Sequence, residues 1–568
     1  MSNPVIDTNE EALDKKLQDI KSKRDEDESM TIAQKYGLPF NNLKTVPIDP
    51  EALALLDEDK ARNAKMAVVS KNVKKLAVVI IDPEDPITKE EIENLKKLGY
   101  DLNIILTTPE SLIHVWEKYS TLPDKTPTYK IGAVEMSQEK LDQISSEIKD
   151  ISDLKSKLTN VSTTELLETV LAGALKIQAS DVHIEPESDE ARLRYRLDGV
   201  LNDVSGIDNN SYNKLLSRVK VLSKMRLNVH KNAQDGRFTI KQPRRPEVGA
   251  PTKASEKSID IEVRVSVLPS EFGEALVLRI LDPRVIKAEL ESLGMRPDLL
   301  DLVKTQLKKS TGSILTTGPT GSGKTTTLYA FIQYLNSTDT KIVTIEDPIE
   351  YHIAGASQTQ VDPAKGYTFA NGLRAIVRQD PDVILVGEIR DKETAEIALQ
   401  AALTGHLVFS TIHTNNAAGT IPRLIDLDIK PPVIAPAINM AMGQRLLRRL
   451  CNDCKVKQKI NADTLKKLKA SLRPLEDKLK FPKLEESTEI FEAGKCDKCN
   501  NSGYKGRIGV YEAFVISKNM ERLILKSPAI SDIEELAIKE GMVTMLQDAY
   551  LKILEGITSL EETERVVG

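Results

Sequence analysis

The sequence predicts a multidomain α/β protein, and three observations carry that prediction. From Leu293 onward, β-rich runs alternate with helical patterns, which is how a parallel sheet covered by helices reads. Gly318-Pro319-Thr320-Gly321-Ser322-Gly323-Lys324-Thr325 fits G-x-x-x-x-G-K-[ST] and lies between a β-rich run, Ile314–Thr317, and a helical pattern, Thr325–Asn336. The 568 residues exceed what one core organises and imply three or four domains.

Taken in order, residues 1–30 are crowded with Glu, Asp and Lys and read as disordered or as a solvated helix. Residues 31–120 read as a small α+β N-terminal docking domain. Its strands are Met66–Ser70 and Leu76–Ile81, and Ile92–Leu98 is an amphipathic helix. Pro123, Pro127 and polar residues mark a linker over 121–159. A second α+β domain spans 160–285. It has a helix at Thr164–Gln178 and strands at Ala191–Leu197, Arg237–Lys241, Ile259–Val267 and Ala275–Leu281; Gln242–Lys257 is a long loop. The third domain, 286–568, has strands at Ser313–Thr317, Lys341–Glu346, Asp382–Val386 and Leu407–Ile412. From Pro431 on it reads as mainly helical, and it includes a cysteine-bearing subdomain at 445–510.

Composition narrows the class. The chain is 40% hydrophobic and 29% charged, with a net charge of −6, so nothing attracts it globally to nucleic acid or anionic lipid. No run approaches the roughly 20 apolar residues that span a bilayer, and no basic-then-apolar leader is visible. The expectation is a cytoplasmic protein that reaches a membrane only through partners.

The glycine-rich loop is the sharpest chemical signal. Glycines let backbone N–H groups curl around phosphate oxygens, and the helix that follows adds its positive end. The cradle comprises Gly318 to Thr325 and Thr326. Lys324 can reach the β- and γ-phosphates, and Thr325 can ligate Mg²⁺. Two acidic clusters end the next strands: Glu346-Asp347-Pro348-Ile349-Glu350 and Gly387-Glu388-Ile389-Arg390-Asp391. Ligands bind at the carboxyl ends of such strands, so both clusters should face the phosphates. Glu388 is the candidate for activating water; Glu350 and Asp347 can support Mg²⁺ through water, or can merely cap helices or form ion pairs. His413 and His406 bracket an apolar strand. His413 falls at its carboxyl end, within reach of a γ-phosphate, and His406 falls at the structural end.

Cys451-x-x-Cys454 and Cys496-x-x-Cys499 use every cysteine in the chain. Four thiolates in a tetrahedron suit a structural Zn²⁺, with two local disulfides or free thiols as alternatives. The 455–495 spacer is longer than a usual zinc ribbon's and reads as a Lys-rich excursion from a closed site. The basic run Gln444-Arg445-Leu446-Leu447-Arg448-Arg449 suggests a domain or subunit interface rather than nucleic acid.

Together these motifs resemble the traffic ATPases of type II secretion and type IV pilus assembly. The four boxes of that family stand in order: the phosphate loop, Thr344–Glu350, Leu385–Asp391 and Thr404–Thr414. Gly372–Asp382, Ser180–Glu185, Arg194–Gly199 and Asn500–Arg507 also resemble family signatures. The resemblance implies a RecA-like third domain with a zinc knuckle, a PAS-like second domain that donates arginines, and ATP with Mg²⁺ between them. Arg237 and Arg264 match the arginine positions, Arg279 more weakly. It raises His413 and Glu388 as catalytic groups and adds His406 to their box. It further implies a homohexamer acting with an inner-membrane platform protein and a cytoplasmic docking protein. The implied function is pilin polymerisation, with pseudopilus assembly for type II secretion as the alternative. Intact Lys324, Thr325 and Glu388 speak against a non-hydrolysing scaffold, and the acidic total speaks against a DNA translocase. The Arg-Leu-Gly motif by which some relatives bind a cyclic dinucleotide is absent from the N-terminal region, so that ligand is not expected.

Overall fold

The computed structural model describes residues 8–43, 48–53, 55–72, 75–97, 99–121, 132–136, 148, 151–158, 163–242, 259–283 and 289–568. They form two compact bodies, 1–128 and 129–568.

In the first body, Thr8–Tyr36 is one helix, so of the two readings of the polar N-terminus the helical one is seen. A three-stranded sheet follows: β1 (Met66–Asn72) and β2 (Lys75–Ile80) are antiparallel, and β3 (Asp101–Leu106) joins β2 in parallel. Helix Pro86–Lys97 begins earlier than the periodicity indicates because Asp85 receives the Ile87 N–H at 2.9 Å. Its buried face, Ile92 and Leu95, packs with Val78, Ile80 and Leu106.

The second body opens with a seven-stranded sheet. Its strands are β4 (Ala133–Glu135), β5 (Asp181–Pro186), β6 (Glu190–Leu197), β7 (Val200–Asp208), β8 (Gln234–Gln242), β9 (Ile259–Ser270) and β10 (Gly273–Leu281), in the order β4-β8-β9-β10-β5-β6-β7. Part of the expected linker belongs to this domain. β4 pairs in parallel with β8, and Ile148 and Leu154 are buried in the same core. The Gln242–Lys257 loop lies outside the described residues except for Gln242. Helices Thr163–Ile177 and Asn209–Leu222 cover one face. Along β9, Ile261, Val263, Val265 and Val267 are buried, which turns Glu262, Arg264 and Ser266 to the opposite face.

The third domain is a sheet of seven strands: β11 (Gly312–Thr317), β12 (Ile342–Glu346), β13 (Ala356–Gln360), β14 (Val383–Val386), β15 (Leu407–Ile412), β16 (Ile438–Leu450) and β19 (Tyr504–Val515). Their order is β13-β12-β14-β15-β11-β16-β19. All pairings are parallel except β16 with β19. This corrects the mainly helical reading after Pro431 for two long segments, β16 and β19, while the stretch from Lys518 on is helical. Leu, Met, Ala and Arg crowd β16 and favour helix in isolation, and pairing on both sides with β11 and β19 overrides that preference. The 455–495 excursion shares a core with helix Met545–Leu554 through Tyr550, Leu551 and Ile553. Strands β17 (Val456–Lys459) and β18 (Glu489–Glu492) and helix Ala462–Leu472 enclose Ile460, Leu465, Leu468 and Ile490.

The C-terminal helices are held to the sheet by buried charge. Asp548, fully buried on helix Met545–Leu554, lies 2.8 Å from Arg296 Nη1 and 2.8 Å from Lys552 Nζ, and accepts the Tyr511 N–H of β19 at 2.8 Å. Glu562, also fully buried, holds Arg448 of β16 at 2.7 Å and Arg565 at 2.6 Å.

Candidate active site

Parallel pairing aligns the carboxyl ends of β12, β14, β15 and β11: Ile345 stands opposite Val386, Val386 opposite Ser410, and Thr317 opposite Ile412. Everything that leaves these ends meets in one cleft of about 450 Å³. It is lined by the loop Thr320–Thr326, by Asp347 and Glu350 after β12, by Glu388 after β14 and by His413 after β15.

The phosphate loop runs from β11 to helix Lys324–Leu335. Gly318 (φ +148) must be glycine: a Cβ there would sit 2.5 Å from the Gln444 carbonyl oxygen. At Gly323 (φ +87) a Cβ would meet Gln444 Nε2 at 2.8 Å. Gln444 therefore forms the floor of the loop, and Thr327 Oγ1 donates to its Oε1 at 2.9 Å. Lys324 Nζ folds back and donates to the carbonyls of Gly318 at 2.8 Å and Pro319 at 3.1 Å. Burial lowers its pKa from the ordinary lysine value, Glu388 pulls it up, and Arg445 adds to the lowering. Thr325 is exposed to the cleft.

Glu388 and His413 leave adjacent strands, so they touch: His413 Nε2 is 3.0 Å from Glu388 Oε2. Arg390 pairs with the other oxygen of Glu388. Glu346 lines the cleft but is buried and accepts from Tyr329, Thr344 and Gln358; burial raises its pKa. His406 does not join the group. It stands at the other end of β15, where Nδ1 is 3.0 Å from the Ala401 carbonyl, so its membership of the histidine box is a matter of sequence, not of location.

Three arginines form a row across the second domain's sheet. Arg264 of β9 is directly opposite Arg237 of β8 on one side and Arg279 of β10 on the other, and cross-strand partners share a face. Each arginine has an acid beside it. Arg264 Nη1 is 3.0 Å from Glu350, Arg237 is 3.8 Å from Glu262, and Arg279 is 2.9 Å from Asp181. Arg279 lines this cleft and, with Arg237 and Arg264, also the neighbouring groove that Pro348 and Gln360 share. Arg264 bridges the two domains, because Nη2 also donates to the Ile349 carbonyl at 2.9 Å.

Phe369, Leu446, Arg390 and Arg507 line the cleft as well. Leu446, Arg390 and Arg507 lie inside sequence motifs that gave them no role of their own, and Phe369 lies outside those motifs. Leu446 and Arg507 come from β16 and β19, and they became visible only when those segments proved to be strands.

The four cysteines form one cluster whose sulfurs all lie within 4.8 Å of one another. Cys451–Cys496, Cys454–Cys499 and Cys496–Cys499 are 3.8, 3.7 and 3.6 Å apart. Those separations exclude disulfides and match a tetrahedral ion, since bonds of about 2.3 Å place sulfurs about 3.8 Å apart. The Gly503 N–H donates to Cys499 Sγ at 3.3 Å and stabilises thiolate there. The quartet can therefore hold a metal ion.

Residues 157–565 match the family model described as "Type II/IV secretion system protein", and residues 36–124 match the MshEN domain. The chain belongs to the type II/IV secretion system protein family. This secretion ATPase is 33% identical to the "Type IV pilus assembly ATPase PilB" of Myxococcus xanthus over 531 residues, covering 94% of the chain and 89% of that relative. It is 41% identical to the "Type II secretion system ATPase E" of Vibrio cholerae over 423 residues, covering 74% of the chain and 79% of that relative. Among solved structures, the Yersinia pseudotuberculosis ATPase DotB overlays with a TM-score of 0.51 at 20% identity, covering 72% of the chain and 94% of that structure, a likeness of fold. Among the described residues no helix of this secretion ATPase is long and apolar enough to cross a membrane.

Proposed function

We propose that this secretion ATPase turns ATP hydrolysis into the assembly of a type IV pilus. The observation that carries this reading is the convergence of Lys324, Glu388 and His413 on one cleft that the second domain approaches with Arg264 and Arg279. The residues suit ATP with Mg²⁺: Gly318–Thr326 would cradle the triphosphate, Thr325 would ligate the cation, and Glu388 would orient the attacking water. When phosphate oxygens arrive, Arg264 exchanges Glu350 for them, as a guanidinium fork suits. Arg237 follows on the same row. The second domain, PAS-like in this reading, thereby closes and opens on the third with each turnover.

In this reading the chain works as a homohexamer on the cytoplasmic side of the inner membrane. It docks through its N-terminal domain and pushes on a platform protein, so that membrane contact comes through partners. Similarity over nearly the full length to a pilus assembly ATPase favours pilus assembly; type II secretion stays the alternative because identity over the ATPase region is higher there. The test is a cell carrying only Glu388→Gln protein. Loss of surface fibres with normal export of secreted enzymes is expected; normal fibres with blocked export would reverse the assignment.

The metal in this reading is structural Zn²⁺, since four thiolates leave no open position for catalysis. Protein purified under reducing conditions is expected to carry about one zinc per chain by elemental analysis. Cys499→Ser protein is expected to carry little; equal zinc in both would overturn the site.

A further inference from the structure

Arg445 stands out among the cations of the third domain. It lies on β16, which runs beside β11 with Gly443 opposite Thr317. Its guanidinium forks onto two carbonyls: Nη1 donates to Gln444 at 3.1 Å and Nη2 to Asn415 at 2.7 Å. Among the described residues it makes no ion pair, and the buried Glu512 acts on it only through space. It is half-buried, and burial disfavours its charge. Such a cation is costly unless it does something with its donors.

Both sides of the fork lead to the nucleotide site. On one side is the phosphate loop, since a Cβ on Gly318 would lie 3.2 Å from Arg445 Nη1. On the other is the segment that carries His413. Thr414 is clasped to Thr317 by hydrogen bonds of 2.6, 2.8 and 2.9 Å, and Asn415 follows it directly. His413 in turn holds Glu388 at 3.0 Å. Bonds and chain neighbours thus run from Arg445 through Asn415 and Thr414 to His413 and Glu388, while the Gln444 carbonyl that takes the other arm of the fork lies against Gly318. Arg445 does not line the cleft.

We propose that Arg445 is a positioning residue that locks the His413 segment to the phosphate loop, so that a filled loop sets the geometry of the His413–Glu388 pair. The proposal rests on the reading of the cleft as the ATP site. Lysine cannot replace it, because one ammonium lacks the planar fork that spans two carbonyls.

The test is a double-mutant cycle in the full-length chain with ATP, combining Arg445→Gln and His413→Ala, with Arg445→Lys as a third variant. Arg445→Gln is expected to lower kcat about tenfold with KM unchanged, Arg445→Lys to recover little of it, and Arg445→Gln to add nothing once His413 is alanine. Equal fold losses in both backgrounds, full recovery by lysine, or a loss confined to KM would each overturn the proposal. Hydrogen exchange supplies a readout that does not depend on turnover: amides 413–417 should exchange faster in Arg445→Gln protein, and unchanged protection would also overturn it. If His413→Ala alone leaves kcat untouched, the role given to His413 falls, while the exchange result still decides the lock.

Discussion

Glu388→Gln is expected to lower kcat for ATP about 10²–10⁴-fold while nucleotide binding persists. The amide keeps the size of the carboxylate, and it can keep a hydrogen bond to His413 Nε2, now 3.0 Å from Oε2. It cannot accept a proton from water, and it loses the ion pair with Arg390. Binding should hold or tighten slightly, because a negative charge near Lys324 disappears where phosphates must sit. Single-turnover phosphate release measures the first effect and titration with a fluorescent nucleotide the second. Turnover within about threefold of the parent, far inside the range for a lost general base, would remove Glu388 from the water-activating role.

The largest expected effect on stability is at Asp548. Its side chain is fully buried between Arg296 and Lys552, both nearly buried, and it also receives the Tyr511 N–H. Asp548→Ala leaves Lys552 and a backbone donor without their acceptor and Arg296 with only the more exposed Asp298, a defect of about 3–5 kcal/mol. The loss should be local at first: the C-terminal helices and β19 should lose hydrogen-exchange protection together, with the thermal transition of this domain shifted down. Asp298→Ala removes the more exposed partner of the same Arg296, at 3.2 Å, and should cost about 0–1 kcal/mol. Equal effects from the two variants would mean that Asp548 is not the central anion.

The parallel part of the third domain was legible because short apolar runs ended in acidic or glycine-rich turns: Ser313–Thr317, Lys341–Glu346, Asp382–Val386 and Leu407–Ile412 each match a strand within one residue at either end. β16 and β19 were not legible. Their residues follow no two-residue alternation, because β16 is buried on both faces near β11 and then meets Tyr504 and the C-terminal helix. Missing them hid Leu446, Arg507 and the Gln444 floor. β4 was lost for a different reason: a three-residue strand among prolines and polar residues carries too little pattern to register. The row Arg237–Arg264–Arg279 could not be foreseen as a row, since its register depends on how β8, β9 and β10 align, which sequence spacing does not encode.

Like charges set side by side on neighbouring strands repel, and here three guanidinium groups stand abreast. Glu262, Glu350 and Asp181 neutralise them in the resting chain. In the proposed cycle a nucleotide competes with resident anions rather than filling a bare cationic surface, and the same acids are at hand to take back each arginine when product departs. Resetting between cycles then needs only a change of counter-ion at each arginine. Raised ionic strength should weaken the resting clasp and the loaded one alike, leaving the balance between open and closed forms less sensitive to salt than either contact alone.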